Sequence, residues 1–244
     1  NAVEKIILSI ESVYDVLGAL DKIGFVTDLP LERTEGLSVL MTDPEKGLDV
    51  RLTNVGFRSH WIKKHVLEAI TLHLAPGEKV CLSGLNGSGK TTLLRILAGA
   101  LDAHEGNIQF DGHPLNSLDL EQARSIVGDS LNDEDVFAGT VMENITVGRT
   151  WVKEEEVMEA CTVTGLFDQM AQLPEGLLTR LDPQGSRLPK SLVKRIIQAR
   201  CIAGKPRFIL LEDSLQNWDM KDREQLLGWI TAPERPWTLL AVSN

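Results

Sequence analysis

Gly84, Leu85, Asn86, Gly87, Ser88, Gly89, Lys90 and Thr91 fit the pattern GxxxxGK[ST] without a mismatch, and no other stretch restricts the fold of this chain as much. The chemistry explains the composition. Glycines let backbone amides converge on phosphate oxygens, Lys90 offers a charge to the β and γ phosphates, and the Thr91 hydroxyl can ligate magnesium. Lys79 to Ser83 reads as a short apolar strand leading into the loop. Lys90 to Ala98 reads as a helix closed by Gly99, and its N-terminus adds the positive end of a helix dipole. An ordinary glycine-rich turn is the competing explanation, and a full match between a strand and a helix disfavours it. Gly84 to Thr92 is therefore the expected phosphate-binding segment.

The rest of the chain supplies a context for that loop. Ile6, Ile10, Val13, Leu17 and Leu20 recur at steps of three and four, which predicts an amphipathic helix over residues 4 to 20 with Gly24 and the Asp28, Leu29, Pro30 stretch as its stop. The stripe covers too few heptads to specify a coiled coil. A polar linker runs to Gly47. Val50, Leu52, Val55 and Phe57, then Ile70, Leu72 and Leu74, alternate as half-buried strands do. Strands are expected over 106 to 111 and 126 to 130, and helices near 152 to 161 and 190 to 203. Phe208 to Leu211 is a continuous apolar run suited to a strand buried on both faces, followed by a helix over 219 to 230 and a strand over 237 to 242. Strands alternating with helices predict an α/β fold, with residues about 118 to 205 as a largely helical insertion. The domain reading is residues 1 to 47 as helix and linker and 48 to 244 as the nucleotide-binding unit.

Composition sets bounds on function. The 244 residues carry a formal charge of −10, which argues against the basic footprint that nucleic acid requires. Cys81, Cys161 and Cys201 are far apart, without a CxxC pair or a nearby histidine cluster, so neither zinc nor a disulfide framework is expected and a reduced compartment fits. No run approaches the ~20 apolar residues of a membrane span, and the chain as given reads as soluble. His60, Trp61, Lys63, Lys64 and His65 read as a solvated loop carrying an aromatic residue.

Phosphoryl chemistry needs an acidic group at the end of a buried strand to hold the metal, and Ile209, Leu210, Leu211, Glu212, Asp213 offers one. Here the resemblance becomes specific. The segment VLEAITLHLAPGEKVCLSGLNGSGKTTLLRILAG (66 to 99) resembles the Walker A region of ABC transporter ATPases. VFAGTVMENI (136 to 145) resembles the segment after that family's Q-loop, and LPEGLLTRL (173 to 181) the stretch before the signature in exporters. KPRFILLEDSLQNWD (205 to 219) is similar to Walker B and the D-loop. The resemblance covers residues 48 to 244 and implies a P-loop NTPase with a RecA-like parallel core, an antiparallel β subdomain and an inserted helical subdomain.

Carried over residue by residue, it implies ATP and Mg2+ as ligands. Lys90, Asp213, Asn132 and Asn244 take the catalytic positions, Thr91, Asn132 and Glu212 the metal positions, and Gly84 to Thr92 with Trp61 the nucleotide contacts. The departures are as informative as the matches. Walker B ends Glu212, Asp213 where the family has Asp then Glu, which shortens the presumed general base. The LSGGQ signature aligns with Leu188, Pro189, Lys190, Ser191, Leu192, where only the leucine survives, and Pro189 has no amide hydrogen. The Q-loop glutamine falls at Asn132, the switch histidine at Asn244, the adenine-stacking tyrosine at Ser59 with Trp61 nearby, and the X-loop glutamate at Pro183.

The expectation is the nucleotide-binding domain of an ABC exporter at the cytoplasmic face of the cell membrane, hydrolysing ATP slowly. Its implied partners are a transmembrane domain and a second ATP-binding domain in a head-to-tail homo- or heterodimer. The same resemblance reads residues 1 to 47 as the helix leaving a last membrane span. The alternative is an ATP-gated interaction module with little hydrolysis. A DNA-repair ATPase of the same superfamily would need a long coiled-coil insertion, for which the about 120 residues between Lys90 and Glu212 leave no room.

Overall fold

The computed structural model describes residues 2–28, 36–38, 45–59, 64–131, 135–170, 173, 175–185, 188–212, 215 and 218–243. They belong to two units, residues 1–34 and 35–244. The first unit is a single helix, α1 (Ala2–Thr27). It runs through Gly24 instead of stopping there, because one interior glycine costs a helix only about 1 kcal/mol relative to alanine. Val13, Leu17 and Leu20 on its stripe are each more than half exposed. No helix among the described residues is long and apolar enough to cross a membrane.

In the second unit the chain opens with β1 (Val50–Arg58), β2 (His65–Leu74) and β3 (Lys79–Ser83), then α2 (Lys90–Leu97), β4 (Glu105–Phe110) and β5 (His113–Pro114). Next come α3 (Leu120–Ser125), β6 (Val127–Ser130), β7 (Gly139–Thr140), α4 (Val141–Thr146), α5 (Glu154–Val163), α6 (Leu166–Met170), β8 (Arg180–Leu181) and α7 (Lys190–Ile202). It closes with β9 (Phe208–Glu212), α8 (Met220–Thr231) and β10 (Thr238–Ser243). Two sheets result. One is antiparallel, in the order β2-β1-β4-β5, and the other is parallel, in the order β3-β10-β9-β6. The expected helices and strands lie within a few residues of these bounds; the short β5, β7 and β8 carry too few residues for a periodicity to show.

The parallel sheet separates two cores, and β9 shows how. Its five residues are all buried, and successive side chains leave a strand on opposite faces. Phe208 and Leu210 enter a core shared with the antiparallel sheet and α2, including Leu52, Leu94 and Phe110. Ile209 and Leu211 enter the helical core with Ile145, Val157, Ile196 and Leu226. The rings of Phe110 and Phe208 meet edge to face, 6.2 Å apart, and join the two sheets. On the helical side, a Cβ on Gly128 would lie 1.9 Å from the Cys201 carbonyl oxygen, so α7 and β6 approach at backbone contact. Arg149 fixes the far end of α7. Its guanidinium donates to the carbonyls of Ile145 and Thr146 at the end of α4 and of Arg200 and Ala203 at the end of α7.

All three cysteines are free thiols. No disulfide joins them, and no group of three or more metal-ligating side chains occurs among the described residues. Cys161 and Cys201 are buried, whereas Cys81 is exposed on β3. Burial pushes the Cys161 thiol up to about 12.

Two measurements check this architecture. Phe208→Ala should lower stability by about 3–5 kcal/mol in urea unfolding, since it empties the joint between the sheets. Thiol titration of the native protein at pH 8 should find one fast cysteine, removed by Cys81→Ser, and two that react only on unfolding.

Candidate functional site

The phosphate loop takes its shape from Gly89. This residue caps α2 with φ of 91°, in the left-handed region that side chains disfavour. A Cβ there would also lie 2.8 Å from the Val66 carbonyl oxygen and 2.7 Å from Leu67 Cδ2, so the loop is seated directly on β2. α2 has no side-chain cap at its start and no acidic residue in its first turn, which leaves the first-turn amides facing outward. Leu93, Leu94, Ile96 and Leu97 anchor the helix in the core beneath. Above it, the Lys90 ammonium donates to the carbonyls of Gly84 (2.6 Å) and Leu85 (3.0 Å) and so lies across the loop. Leu85 itself is 85% exposed and offers the site only its backbone.

Sheet order brings the second acid to this loop. β10 lies between β3 and β9, and its register sets Leu82 and Glu212 on either side of Val242. β3, β9 and β10 thus end at one edge of the sheet, where open α/β folds place their ligands. The Thr91 hydroxyl donates to Glu212 Oε1. Glu212 is 4% exposed, buried where α2 meets the end of β9. A hydroxyl and a carboxylate are hard oxygen donors, and Mg2+ is held by one or two such groups together with water and phosphate oxygens. The pair fits that ion.

Of the other candidate residues, Asn132, Asp213, Asn244 and Trp61 lie outside the described residues. Ser59 follows β1, its amide donating to the Lys64 carbonyl at 3.1 Å, and Pro183 is exposed at the start of a short 3-10 helix, Pro183–Gly185. Residues 188 to 192, which the resemblance aligned with the signature, are all described. Pro189 is the N-cap of α7 with φ of −57° and makes no side-chain cap. Its carbonyl accepts from Leu192 (2.9 Å) and Val193 (3.2 Å). Pro189, Lys190 and Ser191 are exposed while Leu192 is buried, so the tip of the helix carries a cation where its dipole is already positive.

Sequence reasoning missed the residues that hold this helix. Arg195 is 3% exposed and bridges three elements: it donates to the Thr164 carbonyl beyond α5, pairs with Asp222 on α8 at 2.5 Å, and lies 4.5 Å over the Trp218 ring. One turn on, Gln198 donates to the Ser130 hydroxyl at the end of β6 (2.7 Å), and both are buried. The available signal was a charged and an amide residue on the stripe that also carries Leu192 and Ile196, a pattern that reads equally as a helix's polar face.

With this geometry established, a family model for the ABC transporter matches residues 67–216, more than half of the chain. The chain belongs to the ABC transporter family. Heavy metal tolerance factor 1 of Caenorhabditis elegans is 30% identical over 90% of the chain, and the alpha-hemolysin translocation ATP-binding protein HlyB of Escherichia coli O157:H7 is 28% identical over 86%. The chain spans 26% and 29% of the length of these two relatives. A solved bacterial Atm1-family ABC exporter with ATP bound superposes over 95% of the chain and 40% of its own length, with a TM-score of 0.80 and 23% identity. The P-loop NTPase fold, with one antiparallel and one parallel sheet, is thereby established for this ABC ATP-binding domain.

Gly89→Ala tests the seat of the loop. It should abolish measurable ATP binding in calorimetry and destabilise the chain by about 1–3 kcal/mol, the cost of a strained backbone, whereas Lys90→Ala should weaken ATP by tenfold or more with the melting temperature nearly unchanged.

Proposed function

We propose that this chain is the nucleotide-binding domain of an ABC exporter, that it binds ATP with Mg2+ in the Gly84 to Thr92 loop, and that it hydrolyses ATP slowly. The contact between Thr91 and Glu212 carries the reading, because it unites the phosphate loop with the acid at the end of the buried strand. Lys90 neutralises charge on the β and γ oxygens, the first-turn amides of α2 donate to them, and Thr91 with Glu212 holds the metal that screens the triphosphate. Asp213 and Asn244 take the roles of base and switch, with Asn132 as the sensor and Trp61 as the adenine platform. Asp213 is one methylene shorter than glutamate, and ~1 Å of misplacement of an attacking water costs on the order of a hundredfold.

In this reading two such domains close head to tail around two nucleotides, and the α7 tip of each faces the phosphate loop of the other. A tip that opens on Pro189 and Lys190 offers a side-chain cation in place of close backbone amides. Pairing with an identical chain combines a short base with an altered tip at both sites. Pairing with an intact partner puts one defect at each site. Turnover is low in either arrangement. The closure would move a transmembrane domain docked around residues 132 to 139, with residues 1 to 47 linking the two at the cytoplasmic face of the membrane.

A second reading, an ATP-gated interaction module with incidental hydrolysis, is favoured by the Pro189 cap, which removes a backbone donor from the tip. Turnover of the chain with ATP and magnesium should lie far below the enzyme median of ~10 per second. A large gain in turnover for Asp213→Glu would mark an enzyme detuned at its base, whereas an unchanged rate with intact ATP binding would mark the module.

A further inference from the structure

At the end of the parallel sheet opposite the phosphate loop lies a cavity of about 520 Å³ that the nucleotide chemistry does not use. Arg207, which immediately precedes β9, forms its floor, so the length of that strand, about 16 Å at ~3.3 Å per residue, separates it from Glu212. Lys46, Asp49 and Arg51 line it from the start of β1, and Gln109 and Asp111 from the end of β4. Its size is that of small-molecule sites, which run from roughly 300 to 1,000 Å³.

The hydrogen bonds decide what this cavity can hold. Both acids are already paired within the chain. Asp49 accepts from Arg51 Nε at 2.9 Å and faces His73 Nε2 at 3.0 Å. Asp111 accepts from the Asp49 amide at 3.0 Å and from Arg207 Nη2 at 2.7 Å. Burial raises the pKa of Asp49, but the hydrogen bonds from Arg51 and His73 outweigh it and leave the net shift downward, so the acid stays charged and committed. Arg207, 4% exposed, donates to the carbonyls of Lys46 and Gly47 and is rigid. The donors are in excess. Among the described residues no hydrogen bond occupies the Lys46 ammonium, the Gln109 amide or the Nη groups of Arg51, whose fork is aimed by its Nε bond to Asp49. The lining carries three cations against two carboxylates, an excess of one positive charge in a chain of net charge −10, so the local balance favours an anion.

We propose that this cavity is a second ligand site, distinct from the nucleotide site, which takes a small oxyanion-bearing metabolite carrying a carboxylate or a phosphate. The Arg51 fork holds two of its oxygens, Lys46 supplies the opposing charge and Gln109 a neutral donor, as bidentate guanidinium recognition favours.

The test uses Lys90→Ala chain, so that the phosphate loop does not compete, with citrate and inorganic phosphate as probes at constant ionic strength set by chloride. Calorimetry should detect one site for at least one probe. Tighter citrate identifies a carboxylate ligand and tighter phosphate a phosphoryl ligand. Adding Arg51→Ala or Lys46→Ala should weaken the better probe about tenfold or more, the loss expected for a charge-assisted bond, while Lys221→Ala on α8 should not. Heat no larger than that of chloride for both probes overturns the proposal. So does binding that survives Arg51→Ala and Lys46→Ala, and the melting temperatures of the variants show that each is folded.

Discussion

β9 has no exposed face, and the rest of the domain is organised around that constraint. A strand flanked by β10 and β6 and covered on both sides must be apolar at every position that is not functional. The buried exception, Glu212, sits at its end and is tolerated because the Thr91 hydroxyl meets it. Phe208 and Leu210 pull the antiparallel sheet and α2 onto one face while Ile209 and Leu211 pull the helical layer onto the other. The phosphate loop and the acid are brought together by the same packing that forms the two cores.

The helical layer is held to this strand by polar groups in an apolar setting. Arg195 ties α7 to α8 and to the end of α5, and Gln198 ties it to Ser130. A buried cation with incomplete pairing is destabilising when its partner is lost, so such contacts fix one orientation of a helix more than they add net stability. The orientation matters under the proposed function, in which a second domain meets the N-terminus of α7. Its Pro189 cap and exposed Lys190 are presented rigidly. Pro189 and Lys190 open a well-packed helix.

Much of the site was legible in advance because its chemistry is local. Gly84 to Thr91 are consecutive, and the backbone they need can be read from residue type alone. The same is true of β9, whose apolar run admits few alternatives. Gly24 is the counterexample. It reads as a stop, yet α1 continues to Thr27, because a single glycine costs less than the neighbouring turns of helix return.

The sequence by itself determined the phosphate loop, the buried strand with its terminal acid and the family, since each depends on residues adjacent in the chain. Tertiary structure alone decided that Thr91 touches Glu212, that Arg195 and Gln198 clamp α7, and that Lys46, Arg51, Gln109 and Arg207 line one open cavity. Those contacts join residues tens to more than a hundred positions apart, and side-chain type carries no record of which distant partner the folded sheet order will place beside it.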